Sequence, residues 1–310
     1  MDQDREKRIN DIISRGNKRN DVFQIVPEGA ARILEVGFGD GALLLRLGKE
    51  KGCTELYGVE VSKGAKKRME GLVDGCWEMY LGEEDNHLGE PFHDFFNWII
   101  LHDVLEHMYD PWKFLSYVTR YVAPDGRLIL VCPNAQYWET IFALLHGDFP
   151  YGQDGHFNEE HIRWFTPKSM LEMAVLSGLN VEECHLLLTS RINRELFGFI
   201  EKNKDGKLLP MPPAGFDHRE FLNFFPPNFS DLRDGAGVDV VFRTNKRDLY
   251  PHFLAVKVLL VCTVAERSED TKAMRVGQLR KRRQEFLETR SDELAARLPK
   301  AWKAYVWQPG

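Results

Sequence analysis

Two short segments concentrate ionisable side chains. "HDVLEH" sets His102, Asp103, Glu106 and His107 side by side, and "DGHFNEEHIRWFT" carries His156 and His161. Imidazole is the side chain whose ordinary pKa lies nearest neutrality. His107, His161 and His156 are therefore the candidate bases for a hydroxyl nucleophile. Two of them have an ordinary structural alternative: His107 bonding a backbone carbonyl, and His161 orienting the next helix together with Arg163. A third cluster is "ILEVGFGDGA", where Gly37, Gly39 and Gly41 bracket Phe38 and follow an apolar run containing Glu35. Glycines at such a turn permit positive φ and the close approach of a ligand, and the helix they open points its free N–H groups at it. An acid inside the preceding run is costly unless it meets a polar partner. Glu35 would repel a pyrophosphate and suits an ammonium group.

The elements that position these groups follow from periodicity. "ARILEV" is a short buried strand, and the helix after the glycines buries Leu43, Leu44 and Leu47. "ELYGVEV" is a second strand ending at Glu60 and Val61, where a carboxylate can accept from both hydroxyls of a ribose. "SKGAKKRMEGL" reads as a helix capped by Ser62. "FFNWIIL" is a buried strand leading into "HDVLEH". Asp110 and Pro111 start a helix that buries Leu115, Val118 and Val122. "APDGR" is a turn, "RLILVCPN" a strand, and Thr166–Pro167 begins another helix that ends at Gly178. "VEECHLLL" and "HFLAVKVLLVCTV" complete the strands, and residues 4–16 form an amphipathic helix. Strands alternating with helices predict an α/β fold with a mostly parallel sheet covered on both faces. The Gly37-x-Gly39-x-x-Ala42 spacing also meets the dinucleotide pattern, so an NAD-dependent oxidoreductase is a rival reading.

The 310 residues are 43% hydrophobic and 28% charged, the balance of an ordinary globular chain. A net charge of -6 provides no overall attraction to nucleic acid or anionic membrane. No apolar run approaches the roughly 20 residues of a membrane span, and the charged N-terminal segment is no secretory signal. Five scattered cysteines without a C-x-x-C pair predict a reducing cytoplasm and no structural zinc. The expected organisation is a core over 1–190, an insertion over 191–252 serving as a lid or oligomer contact, a late strand over 253–265 and a charged helical extension over 266–310. Within the insertion the aromatics around Phe221–Phe229 stand out. Within the extension the basic stretch 272–283 suits a phosphate or a solvated helical face.

"ILEVGFGDG", "YGVEVS", "FFNWIILHDVLEHMYDP" and "YVAPDGRLILVCPN" together resemble, in order and spacing, the class I S-adenosylmethionine-dependent methyltransferases. The resemblance spans about residues 20–190. It implies a Rossmann-like seven-stranded sheet with one antiparallel strand, and a glycine loop that holds the amino acid end of the cofactor. It further implies Glu60 on the ribose, Glu83 on the adenine amine, and His102 and Asp103 lining the cofactor from the other side. Glu84 and Asp85 compete with Glu83. The segment around His161 resembles one in a methyltransferase branch that acts on sugars, glycans and secondary metabolites, where it closes over the substrate. A small-molecule or glycan acceptor, methylated on oxygen, is the leading expectation, with no metal required and nucleic acid not the expected partner. The alternative is a metal-dependent RNA 2′-O-methyltransferase. Asp103, Glu106, His107 and His161 resemble the metal-holding set of the small-RNA enzymes, although aspartate stands where that family has glutamate. Two oxygen donors and two imidazoles suit Mg²⁺ or Mn²⁺.

Overall fold

The computed structural model describes residues 2–82, 86–145, 147–188, 255–265 and 303–306. Glu83 to Asp85, the 191–252 insertion and the 272–283 basic stretch lie outside the described residues. The chain begins with helices α1 (Asp2–Arg15) and α2 (Asn20–Ile25). Strand β1 (Ala31–Val36) and helix α3 (Ala42–Lys51) follow, then β2 (Thr54–Glu60), the short α4 (Ala65–Met69) and β3 (Gly75–Glu78). The second half runs β4 (Phe96–His102), α5 (Pro111–Val118), β5 (Val122–Pro133), α6 (Trp138–Leu145), α7 (Pro167–Leu176), β6 (Leu179–Leu188), β7 (Ala255–Val264) and β8 (Lys303–Val306).

One sheet takes the order β3-β2-β1-β4-β5-β7-β6-β8. Strand β7 alone runs antiparallel, between β5 and β6. The first seven strands give the expected sheet. The eighth pairs in parallel with β6, which corrects the helical reading of the chain's end at these four residues. Tyr305 and Val306 suit a pleated surface better than a helix. Alternation along the strands divides the core in two. Leu34, Val36, Ile99, Leu101, Leu128 and Leu130 pack on one face with Leu115 and Val118 of α5. Ile33, Ile100, Ile129 and Val131 pack on the other with Leu43, Leu44 and Leu47 of α3. By that period Glu35 shares the Ile33 face, beneath α1 and α3.

Local chemistry sets the helix starts. Asp110 caps α5 by accepting from Lys113 N at 3.0 Å, with Pro111 at its first position. Thr166 and Ser169 form a reciprocal capping box on α7. Ser62 does not cap α4. That helix opens instead after Gly64, which has φ 81° and gives no side-chain cap, and it is only five residues long. "APDGR" lies inside β5 as an irregularity, where the partners of Phe96 and Trp98 jump from Val122 to Arg127. The carboxyl ends of β1, β2 and β4 meet at one end of the sheet, where the candidate groups also gather.

Candidate functional site

The turn from β1 to α3 needs its glycines. Gly37, Gly39 and Gly41 have φ of 72°, 59° and 87°, the left-handed region open mainly to glycine. A Cβ on Gly37 would lie 2.6 Å from Val104, and one on Gly41 would lie 2.4 Å from the Met69 sulfur. At Gly39 the nearest atom would be the Arg19 guanidinium, at 3.8 Å. The loop is thus closed on two sides and open at its middle residue. Glu60 fixes its shape from the end of β2. One carboxylate oxygen accepts from Gly39 N at 2.7 Å, and the other accepts from Val61 N and Ser62 N at 2.9 and 3.0 Å. Phe38 is buried in the core, against Gly58, so its backbone rather than its ring faces the loop's ligand side. Val61 is an exposed apolar side chain beside Glu60.

Glu35 is fully buried. Its Oε1 pairs with the Arg19 guanidinium, which also donates to the Gly37 carbonyl at 3.0 Å. Its Oε2 has no hydrogen-bond partner among the described residues. Burial outweighs the neighbouring Arg19 and His102 charges and pushes the carboxyl up to about 7. At the end of β4 a row of alternating charges crosses the site. The Lys257 ammonium from β7 pairs with Asp103, Asp103 lies 3.1 Å from His102 Nδ1, and His102 Nε2 lies 3.1 Å from Asp21. Burial disfavours a charged His102, but the carboxylates of Asp103 and Asp21 prevail and raise its pKa. Burial likewise opposes ionisation of Asp103, yet His102 and Lys257 hold it well below the usual carboxylate range. Asp103 also adopts φ 55°, an uncommon conformation for a residue with a side chain.

Just beyond the end of β4 the histidines meet. His107 and His161 stand edge to face with ring centroids 4.8 Å apart. His161 Nδ1 lies 3.0 Å from the His156 carbonyl and His107 Nδ1 lies 3.2 Å from the Glu160 carbonyl. A carbonyl only accepts, so each Nδ1 carries the proton and each Nε2 keeps its lone pair when the ring is neutral. Burial lowers the pKa of His161, with the neighbouring His107 adding to it. His156 differs. Its Nε2 donates to the Val256 carbonyl at 2.8 Å, its ring stacks on Tyr137, and burial brings it down to about 4. The two segments are stitched together by Glu106, whose carbonyl accepts from Ile162 N and Arg163 N at 3.0 and 2.9 Å. Arg163 donates to the Tyr109 carbonyl and lies over the Tyr109 ring, and Trp164 packs with Phe149 and Phe157.

The family described as "Methyltransferase domain" matches residues 1–184. The chain belongs to that methyltransferase family. S-adenosylmethionine is the methyl donor that the sequence resemblance leads one to expect of it. Among solved structures it is similar to an S-adenosylmethionine-dependent methyltransferase from Archaeoglobus fulgidus, at 15% identity over 80% of this chain and 95% of that one, with a TM-score of 0.46. It is also similar to one from Mesorhizobium loti, at 13% identity over 81% and 99%, with a TM-score of 0.43. A search of curated proteins gives no match.

In this methyltransferase the buried orphan oxygen of Glu35, the open loop at Gly39 and the fixed carboxylate of Glu60 suit a zwitterionic nucleoside. Three of the four residues of the metal alternative also converge. One ligand atom each from Glu106, His107 and His161 lies within 4.8 Å of the others. Asp103 is not among them, being engaged by His102 and Lys257. Sequence reading missed three site residues: Arg19, Asp21 and Lys257. Lys257 carried a signal, as the lone charge inside the apolar run "AVKVLLVCTV". Arg19 and Asp21 stand in the polar segment "GNKRND", which has no local pattern to mark them.

Proposed function

We propose that this methyltransferase methylates a hydroxyl oxygen of a sugar, glycan or other small polar acceptor, with His161 as the base. The observation that carries the reading is the His161 hydrogen bond to the His156 carbonyl, which leaves Nε2 free to take a proton. Bound S-adenosylmethionine supplies an electrophilic methyl group on a sulfonium. The chain's own work is then to align the acceptor oxygen and remove its proton. Glu35 would receive the cofactor's ammonium group, Glu60 its ribose, and the exposed Val61 would offer apolar surface beside them. The row from Asp21 through His102 and Asp103 to Lys257 would bound the cofactor along β4. His107 would keep His161 oriented. The free thiols of Cys53, Cys76, Cys132, Cys184 and Cys262 accord with a cytoplasmic setting, and no helix among the described residues is long and apolar enough to cross a membrane.

One observation favours a second reading. Glu106, His107 and His161 could together hold a divalent ion that activates a ribose hydroxyl of RNA. A single assay separates the two. Methyl transfer from labelled S-adenosylmethionine is followed over a panel of sugars, glycans, phenolic metabolites and short RNAs, with and without EDTA. Labelling of a small hydroxyl acceptor that survives EDTA supports the first reading. Labelling confined to RNA and abolished by EDTA supports the second. Labelling of amines alone removes both.

A further inference from the structure

Lys257 is the lone charged residue of β7, and the fold brings it to the working end of the sheet. Strand β7 runs antiparallel to β5, so its first residues lie beside Pro133, where β5 ends. Those residues hold three segments of the site together. The Ala255 carbonyl accepts from Asn134 Nδ2 at 2.7 Å. The Val256 carbonyl accepts from Asn134 N at 3.0 Å and from His156 Nε2 at 2.8 Å. The His156 carbonyl in turn accepts from His161 Nδ1. Two hydrogen bonds therefore tie the backbone next to Lys257 to the candidate base, while the Lys257 ammonium pairs with Asp103 at the end of β4. Its charge reaches both histidines, adding to the burial that lowers the pKa of each.

The Lys257–Asp103 pair has unspent hydrogen-bonding capacity. An ammonium has three N–H groups, and one is engaged among the described residues. Asp103 turns Oδ2 towards Lys257 and His102, and its Oδ1 is buried without a hydrogen-bond partner among the described residues. The two side chains keep 28% and 29% of their surface exposed, so the pair has an open side. The left-handed backbone of Asp103 is strained, as at sites where the surroundings dictate one placement of a side chain. The chemistry of the pair selects what it can hold. A carboxylate or phosphate would suit Lys257 but face Asp103 and the neighbouring Glu106. An ammonium would suit Asp103 but face Lys257. A hydroxyl answers both, since its oxygen accepts from Nζ while its proton is donated to Oδ1.

We infer that Lys257 and Asp103 form a second acceptor contact, which binds a hydroxyl other than the one methylated, so that the acceptor is a polyol. The inference rests on the hydroxyl-acceptor reading above and narrows it. Matched acceptors test it with labelled S-adenosylmethionine: methyl pyranosides against their monodeoxy forms, and myo-inositol against cyclohexanol. Wild type should favour the polyol over at least one partner lacking a hydroxyl by about tenfold or more in kcat/KM, the worth of a hydrogen bond to a charged group. Lys257→Met should bring that ratio to within about threefold of unity, and Lys257→Arg should restore part of it. A ratio cancels any loss that the two acceptors share, so a merely structural lysine would leave it unchanged, and an unchanged ratio in Lys257→Met would overturn the inference. So would a wild type that methylates cyclohexanol and every monodeoxy form as well as their polyol partners, which needs no variant to fold. Labelling of RNA or amines alone would remove the hydroxyl-acceptor reading itself, and this inference with it.

Discussion

His161 donates from Nδ1 to the carbonyl of His156 at 3.0 Å, and this bond decides which of its nitrogens can act. The donor is fixed by a backbone acceptor five residues back on the same segment, so the ring cannot turn without breaking it. His161→Ala should lower kcat by about 10²- to 10⁴-fold, the usual worth of a positioned base, and leave S-adenosylhomocysteine affinity within about threefold. The pH profile gives a second check. Burial lowers the pKa of His161, so the acidic limb of kcat/KM should turn at a pH below the ordinary histidine value of about 6.5. Equal losses in turnover and cofactor affinity would move His161 to the scaffold.

Two glycines of the loop, Gly41 and Gly39, should separate by mechanism. At Gly41 an added Cβ meets the Met69 sulfur at 2.4 Å, and φ is 87°. Gly41→Ala should therefore destabilise the fold by about 1–3 kcal/mol, read as a lower Tm without ligand. At Gly39 the space is open apart from Arg19 at 3.8 Å. Gly39→Arg should cost less stability but remove the Tm rise that S-adenosylhomocysteine gives by mass action. A Gly39→Arg protein that still responds normally to the ligand would mean that the loop does not seat it.

What the sequence revealed here was local, and what it hid was assembled from distant parts. The glycine loop, Glu60 and the order of strands and helices are legible because turn chemistry and periodicity act over a few residues. The convergence of His107 and His161 was expected only as a shared neighbourhood. Their opposite number, His156, shows why: its five-residue separation from His161 looks the same in sequence whether its Nε2 faces an acceptor or, as here, the Val256 carbonyl from β7. Lys257 reaches Asp103 across 154 positions of chain, and Arg19 reaches Glu35 from a segment whose sequence is ordinary. Such pairs follow from the sheet order, with β7 inserted antiparallel beside β5, and no local pattern encodes that.

Glu35 should make cofactor binding pH-dependent near neutrality. Its folded pKa is about 7, raised by burial. Below that pH it is protonated and cannot hold an ammonium, so S-adenosylhomocysteine affinity should fall as pH drops from 8 to 6, and Glu35→Gln should flatten the dependence. The ligand-free fold should show the opposite trend. Between about 4.5 and 7 the folded chain binds more protons than the unfolded one, so this group's contribution to stability falls as pH rises. Relative to wild type, Glu35→Gln should thus become more favourable across that window, by up to about 3 kcal/mol. Parallel melting curves for the two proteins at every pH would contradict this.

Lys257 and Asp103 should be coupled in acid. The folded pKa of Asp103 is depressed, with burial opposing and the His102 and Lys257 charges overcoming it. Its contribution to stability is present above the unfolded carboxylate value of about 3.9 and is lost as pH falls towards the folded one. Removing the lysine as Lys257→Met raises that folded pKa, so acid unfolding followed by circular dichroism should begin at a higher pH. In Asp103→Asn the same lysine substitution should shift the midpoint little, since the partner that Lys257 stabilises is gone. A shift of equal size in both backgrounds would assign the effect to general charge, and Lys257 would then be a surface cation with no specific part in the row of charges at the end of β4.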